Sequence, residues 1–301
     1  MRKKKYIIAS LLVSSLLCFA GCGDSDEKST ETTTTNQEQS TPMEATTPEE
    51  TTTEEQSSEE LTSSSYEGNY SEYPTEIVEY GCGTRLTADG RNEGAVYCDN
   101  MHGDYQVDFY KGSGKTIYLT FDEGYENGYT PAILDTLREK NVKAVFFCTM
   151  DFVVAEPELV QRIIDEGHVL ANHSVRHKSI PSLSVEEQKN EILELHEYVR
   201  ENFGYEMYLF RPPMGHYSEQ SLAVTGDIGY TSVLWSFAYY DYDVENQPSH
   251  EDALQTMTDR LHVGAIYLLH AVSEANTAVL GDFIDAARAE GYEFLYYEKE
   301  N

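Results

Sequence analysis

Two adjacent carboxylates, Asp122 and Glu123, stand directly after an apolar run at 117–121 that has the composition of a β-strand. A strand in that place delivers both side chains to the edge of a sheet, where carboxylates can act as bases or bind a metal ion. The same pair, followed by Gly124, is also typical of a turn that only ends a strand. The segment 120–124 therefore indicates a catalytic site only if other residues support it.

A histidine pair provides one such support. His173 and His177 are four residues apart in the turn-rich segment 172–177. One helical turn would place both imidazoles on the same face, so that they converge on a single ion. The spacing by itself is a weak indication, but two histidines, a carboxylate and open positions for water are typical of a metal that activates water.

Strand and helix patterns alternate regularly from residue 115 onward. Apolar runs predict strands at 117–121, 143–149, 168–171, 207–210, 231–235, 265–269 and 293–295. Amphipathic segments predict helices at 130–140, 156–166, 184–203, 219–228, 250–261 and 275–290. Units repeated this often favour an α/β fold with a parallel sheet, most simply a barrel.

Capping residues mark the ends of two of these helices. Thr130 is the predicted N-cap of the first helix, with Pro131 at the first helical position. Ser184 and Glu187 form a capping box at the start of the longest helix, and Gly204 ends that helix.

The loops after the strands of a parallel barrel converge on one face, and active sites lie there. Five of the predicted strands are followed by residues suited to chemistry. They are Asp122 with Glu123, Asn172 with His173, Arg211, Trp235 and His270. This coincidence favours a catalytic interpretation of the set over a purely structural one.

The amino-terminal residues predict export. A basic cluster at 2–5 and a short apolar run at 6–19 are typical of a secretory signal peptide, which we expect over 1–22. The small pair before Cys22 resembles the bacterial lipoprotein processing site, in which the cysteine becomes the lipidated amino terminus. Ordinary signal-peptidase cleavage is the alternative. We expect a lipoprotein at the outer face of the cytoplasmic membrane, or a secreted protein if Cys22 is not lipidated.

Residues 23–66 are Ser, Thr, Glu and Gln with almost no large apolar side chain, and they predict a disordered acidic tether. Anchor and arm together would let an enzyme reach an immobile polymer, although a solubilising spacer is the simpler alternative. A tyrosine-rich lead-in segment follows at 67–114. We expect it to pack on the catalytic domain at 115–301, with a sugar-stacking surface as the alternative.

Charge and cysteine content restrict the partners and the redox chemistry. The net charge of −32, from 21 Lys and Arg against 53 Asp and Glu, argues against nucleic acid. Cys82 and Cys98 could form a disulfide in an exported chain or stay free. Cys148 lies in an apolar run and is predicted to be a buried core residue rather than a nucleophile.

Four segments together resemble the signature motifs of a known enzyme family. They are 120–124, the His-Ser-x-x-His segment 173–177, the Arg-Pro-Pro-Met-Gly segment 211–215 and the Leu-Leu-His segment 268–270. In order and spacing they resemble the polysaccharide deacetylases with a NodB homology domain, carbohydrate esterase family 4, which implies a distorted (β/α) barrel. The string 118–129 is most similar to the branch that deacetylates N-acetylmuramic acid on the way to muramic δ-lactam.

The resemblance implies three catalytic roles. Asp122 corresponds to the general base that takes a proton from the attacking water, and His270 to the general acid that protonates the departing amine. Arg211 corresponds to the arginine that orients and charge-pairs with the aspartate. The family's Asp-rich segment is matched least clearly, and either Asp241 or Asp243 could orient Arg211 or His270.

The resemblance also implies a metal site and a substrate pocket. The implied ligands are His173, His177 and Glu123, with glutamate where most members have aspartate. The backbone amide of Met214 corresponds to the donor that holds the oxyanion. The residues implied to line the acetyl pocket are Trp235 and Leu268.

The implied function is metal-dependent de-N-acetylation of peptidoglycan, foremost of N-acetylmuramic acid, with release of acetate. The implied cofactor is a divalent metal, zinc first, with cobalt and manganese as alternatives. The expected partners are peptidoglycan glycan strands and, through the lipid on Cys22, the membrane; the chain is expected to be a monomer. The alternatives are a deacetylase of N-acetylglucosamine polymers, chitin-like ones included, and a silent tethered glycan-binding module.

Overall fold

The computed structural model describes residues 68–299. The helices are α1 (Glu93–His102), α2 (Thr130–Glu139), α3 (Met150–Ala155), α4 (Pro157–Asp165), α5 (Val185–Phe203), α6 (Glu219–Asp227), α7 (His250–Asp259) and α8 (Glu274–Ala289). The strands are β1 (Val78–Glu79), β2 (Val107–Asp108), β3 (Thr116–Glu123), β4 (Val145–Cys148), β5 (Val169–Asn172), β6 (Leu209–Phe210), β7 (His216–Tyr217), β8 (Thr231–Val233), β9 (Ala265–His270) and β10 (Glu293–Phe294). Short 3₁₀ helices lie at Ile180–Ser182 and Pro213–Gly215.

The predicted signal peptide at 1–22, the lipidation site Cys22 and the tether at 23–66 lie outside the described residues. Within the described part of the chain, every helix is too short or too polar to cross a lipid bilayer.

Eight strands form one parallel sheet. Its order is β10-β3-β4-β5-β6-β8-β2, and β9 pairs with β3. The chain just after β8 bonds to β9: the Ser236 N–H donates to the Ile266 carbonyl, and the Leu268 N–H donates to the Phe237 carbonyl, both at 2.9 Å. These bonds bring the ends of the curled sheet together, and they confirm the predicted α/β architecture of a distorted barrel.

Alternation along β3 divides its side chains between two cores. Ile117 and Phe121 pack in the large core between the sheet and the helices, whereas Tyr118 packs in the smaller core inside the curled sheet. Because neighbouring residues of a strand face opposite sides, Asp122 follows Tyr118 to the inner side and Glu123 follows Phe121 to the helix side. The two carboxylates therefore enter different environments.

Three local predictions differ from the structure. The strand predicted at 117–121 continues through Glu123, so both carboxylates belong to the strand instead of following it. The helix predicted at 156–166 is α4, and it is preceded by α3, whose six residues are too few to show helical periodicity. The N-cap of α2 is Tyr129, and the hydroxyl of Thr130 donates to Glu123 Oε1 at 3.4 Å instead of capping the helix.

The lead-in segment packs on the rest of the chain. Its strand β2 pairs with β8, and its residues Tyr80 and Phe109 share a core cluster with Tyr217 and Leu234. Cys82 and Cys98 are free thiols in the structure. Cys148 is fully buried in the large core, as predicted.

The capping box of α5 generates a stability prediction. The Ser184 side chain accepts the Glu187 N–H, and the Glu187 carboxylate accepts the Ser184 N–H at 2.9 Å. Ser184→Ala should lower the free energy of unfolding by about 1 kcal/mol, measured by urea denaturation. Ser113→Ala removes an exposed loop hydroxyl and should change it by less than about 0.5 kcal/mol. Equal losses in the two variants would contradict the capping role.

Candidate active site

A cavity of about 590 Å³ opens at the carboxyl ends of the parallel strands. Seven of the nine predicted site residues line it, and the two that do not are Arg211 and Glu123. The seven are Asp122, His173, His177, Met214, Trp235, Leu268 and His270. The structure therefore brings most of the predicted site together around one space.

Asp122 is held by a buried arginine. Arg211 Nη1 donates to Asp122 Oδ1 at 2.7 Å, and the other guanidinium nitrogens donate to the carbonyls of Val233 at 3.0 Å and Leu234 at 3.3 Å. The guanidinium also stacks on Phe147, 4.1 Å from the ring centre. Burial works to raise the pKa of Asp122, but the charge and hydrogen bond of Arg211, together with His173 and His270, outweigh it and hold the pKa below its usual range. Asp122 is therefore ionised at neutral pH and can accept a proton.

The two predicted histidines lie side by side next to Asp122. Their ring centres are 4.8 Å apart. His173 Nδ1 is 2.9 Å from the carbonyl oxygen of Arg211, which only accepts, so this nitrogen carries the proton. The unprotonated Nε2 lies 3.5 Å from Asp122 Oδ2. Burial lowers the pKa of His173 to about 4 and also lowers the pKa of His177, so both imidazoles are neutral near pH 7.

A bend brings these histidines together, not the predicted helical turn. Ser174 and His177 have left-handed backbone conformations, with φ of 69° and 50°. Asn172 Oδ1 accepts the Ser174 N–H, and Ser174 Oγ accepts the His177 N–H, both at 2.9 Å. Asn172 also donates to the Ile192 carbonyl, so this strand-end residue shapes the loop and does not line the cavity.

Glu123 does not join the histidines, contrary to the predicted set of three ligands. It is fully buried on the helix side of β3, where Oε1 accepts from Thr130 and Oε2 has no hydrogen-bond partner. Burial, and then the nearby charge of Glu126, raise the pKa of Glu123 well above its usual range. The raised pKa favours the neutral acid, and strand alternation turns the side chain away from the cavity.

The chemistry of the remaining donors fits a divalent metal only in part. His173 and His177 are neutral imidazoles beside an ionised carboxylate, which is the state in which they bind metals. Within residues 68–299, however, no group of three or more His, Cys, Asp or Glu side chains is arranged to hold an ion. The two histidines are the residues that could hold a metal here, with Asp122 as the adjoining carboxylate.

His270 is held on the other side of the cavity by Asp241. His270 Nδ1 donates to Asp241 Oδ1 at 2.8 Å, and the His270 N–H donates to Oδ2 at 2.9 Å. Asn276 also donates to Oδ2. Burial works to lower the pKa of His270, but the bond and the charge of Asp241 outweigh it and raise the pKa. Asp241 is thus the orienting acid, whereas Asp243 is bonded within its own loop.

Apolar walls complete the cavity. Gly215 has a φ of 69°, and a Cβ on it would lie 2.7 Å from the ring of Trp235, so only glycine allows the tryptophan to close this side. The Trp235 carbonyl accepts the Tyr80 hydroxyl at 2.6 Å, which ties the wall to the lead-in segment. Leu268 is buried beside it, and Met214 is exposed at the mouth.

Sequence reasoning missed three tyrosines of the cavity. Tyr125, Tyr239 and Tyr242 all line it. The last two belong to the aromatic run after Trp235, which is visible in the sequence.

Comparison with known proteins identifies the family. Peptidoglycan-N-acetylmuramic acid deacetylase PdaA of Bacillus subtilis strain 168 is 42% identical over 200 residues, which are 64% of this chain and 76% of that protein. This chain belongs to the polysaccharide deacetylase family. The model of that family matches residues 110–233. As a polysaccharide deacetylase, the chain is a hydrolase that acts on amide bonds.

Further similarity extends to a solved fold and to a second kind of relative. The structure of Bacillus subtilis PdaA, described as a family 4 carbohydrate esterase, matches this polysaccharide deacetylase with a TM-score of 0.70 and 36% identity, over 73% of this chain and 95% of that one. Peptidoglycan-N-acetylglucosamine deacetylase PgdA of Listeria monocytogenes strain 10403S is 35% identical over 193 residues, 62% of this chain and 40% of that protein.

The position of Glu123 predicts how Glu123→Gln will behave. An acid whose pKa is raised by folding contributes its full stability to the fold at pH values below 4.5, its usual pKa. This contribution is lost as the pH rises. The variant should therefore gain stability over the wild type as the pH rises from 4.5 towards the pKa of Glu123 in the folded state, by up to about 1.4 kcal/mol per pH unit. Urea denaturation at several pH values measures this difference, with the exposed Glu139→Gln as the matched control.

The same variant should keep its affinity for divalent metal and its deacetylase activity within about twofold, because a side chain outside the cavity binds neither metal nor substrate. Loss of metal binding in Glu123→Gln, at the level seen in His173→Ala, would contradict the placement of Glu123.

The contact between Asp241 and His270 predicts a pH effect. Asp241→Asn should lower the pKa of His270, so that a general acid at this position loses its proton at lower pH. The alkaline limb of the pH profile of kcat should therefore move to lower pH. The rate at pH 8 should fall by roughly 100-fold. NMR titration of His270 measures the pKa directly. Glu245→Gln changes an exposed acid of the same loop and should leave the limb in place; an unmoved limb in Asp241→Asn would rule out this role.

Proposed function

We propose that this chain removes the N-acetyl group from peptidoglycan, on N-acetylmuramic acid residues, with a divalent metal. The supporting observation is the pair of opposed groups at one cavity: an ionised carboxylate, Asp122, held by Arg211, and an imidazole, His270, held by Asp241. A base and an acid in opposite protonation states are what hydrolysis of an amide requires.

The attack on the acetamide uses the Asp122 side of the cavity. Asp122 takes a proton from the water whose oxygen bonds to the carbonyl carbon, and Arg211 keeps the carboxylate ionised until then. The Met214 N–H would donate to the oxygen that gains negative charge. A divalent metal held by His173 and His177 would supply Lewis-acid charge to the carbonyl and the water.

The release of the amine uses the His270 side. His270 Nδ1 is bonded to Asp241, so Nε2 is the nitrogen available to the substrate. It gives its proton to the amide nitrogen as the carbon–nitrogen bond breaks, leaving a free amine on the sugar and acetate in the pocket. Trp235 and Leu268 are apolar walls that suit the acetyl methyl group.

The choice of target sugar rests on similarity. The string 118–129 and the 42% identical relative, named for N-acetylmuramic acid, support muramic acid. The 35% identical relative is named for N-acetylglucosamine, which makes that sugar of the same polymer the second candidate.

The proposed location is the outer face of the cytoplasmic membrane, with a lipid on Cys22 and the tether at 23–66 giving a monomeric domain access to the wall. The support is the sequence pattern of basic cluster, apolar run, small pair and cysteine at 2–22.

Asp122→Asn tests the function. Purified protein supplied with zinc, cobalt or manganese should release acetate from peptidoglycan freed of its stem peptides, and the variant should lose this activity by about 1,000-fold. Asp151→Asn changes an exposed acid and is the matched control. Mass spectrometry of the products locates the lost acetyl group on muramic acid or on glucosamine.

Acetate release that is unaffected by Asp122→Asn would overturn the mechanism. Tight glycan binding without acetate release, whichever metal is supplied, would instead indicate the silent binding module. Asp122→Asn also leaves the buried Arg211 without its carboxylate partner, which could disturb folding. Circular dichroism of the variant distinguishes a loss of chemistry from a loss of folding.

A further inference from the structure

Two exposed tyrosines lie at the mouth of the cavity. Tyr240 and Tyr242 follow β8, are 56% and 53% exposed, and their ring centres are 4.6 Å apart. Large aromatic surfaces left in water contribute little to folding, because their burial is what stabilises the fold. The pair therefore calls for an explanation outside the core.

The pair leads outward from the reacting centre. Tyr242 lines the cavity, and its ring centre is 5.5 Å from that of His270. Tyr240 packs on Tyr242 but does not line the cavity. A group that touches Tyr240 must therefore belong to the part of a bound substrate that extends beyond the sugar at His270.

The loop that carries both rings is fixed from two sides. Gln247 Nε2 donates to the carbonyls of Asp241 at 2.7 Å and Asp243 at 2.8 Å, and Gln247 Oε1 accepts from Ser273 at the start of α8. The hydroxyl of Tyr240 donates to Asp243 Oδ2 at 3.1 Å. Exposed rings on a braced loop form a preorganised surface, which lowers the entropy cost of binding.

We propose that Tyr240 and Tyr242 form a stacking platform for the pyranose ring that neighbours the deacetylated sugar in a glycan strand. The proposal rests on the proposed function and extends its binding site by one sugar. A pyranose presents a face of C–H groups while its hydroxyl groups stay at the edge in water. A tyrosine matches this shape with an apolar ring and a polar tip.

Tyr240→Ala tests the platform, because this ring does not contact His270. We expect kcat/KM to fall about tenfold on a peptide-free peptidoglycan tetrasaccharide, with the loss in KM, and clearly less on the monosaccharide N-acetylmuramic acid, which has no neighbouring ring. Tyr240→Phe keeps the ring and should retain most of the activity. Tyr97→Ala, which removes a ring that is 66% exposed and outside the cavity, is the matched control.

A binding experiment separates this proposal from the proposed function. In an Asp122→Asn background, which removes turnover, adding Tyr240→Ala should weaken binding of the tetrasaccharide about tenfold. Absence of acetate release from the wild type would overturn the proposed function alone. Equal losses on the two substrates, a Tyr240→Phe variant as weak as Tyr240→Ala, or the same loss in Tyr97→Ala would overturn the platform.

Discussion

The buried ion pair of Arg211 and Asp122 is the interaction on which the site depends. A guanidinium out of water is tolerated only when its donors are satisfied, and here they reach Asp122 and the carbonyls of Val233 and Leu234. Those acceptors belong to β3 and to β8 with the residue after it, which are distant in sequence. The pair can therefore form only when the parallel sheet has curled, so the charge state of Asp122 is a consequence of the fold.

The two sides of the cavity use one physical arrangement with the charges exchanged. On one side a buried cation, Arg211, holds the Asp122 carboxylate; on the other a buried carboxylate, Asp241, holds the His270 imidazole. Each holding group lies deeper than the group it holds, so water screens neither contact strongly. As a result, the pKa of Asp122 is lowered and the pKa of His270 is raised, which widens the pH range in which the carboxylate is ionised while the imidazole is protonated.

The strand–helix alternation and the site motifs are predictable from sequence because they depend on local patterns. The direction of each side chain is not, since it depends on where a strand ends. The apolar run stops at Phe121, but β3 continues through Asp122 and Glu123. Because these two buried residues are polar, the hydrophobic pattern does not predict that the strand extends to them. The approach of His177 to its partner requires a left-handed backbone at Ser174, a conformation that local sequence rules assign to glycine and not to serine.

The negative charge of Asp122 also affects the pKa of its neighbour Glu123. The pKa of Glu123 is raised by burial, by the charge of Glu126 and also by the charge of Asp122. Glu123 has the hydroxyl of Thr130 as its hydrogen-bond donor, whereas Asp122 has the guanidinium of Arg211. A neutral carboxylic acid is a poor metal ligand, because metals bind the carboxylate form. The raised pKa of Glu123 and the alternation of side chains along β3 thus both disfavour Glu123 as a metal ligand. The side chains that could hold a metal at this site are then the two imidazoles, with the charge of Asp122 beside them.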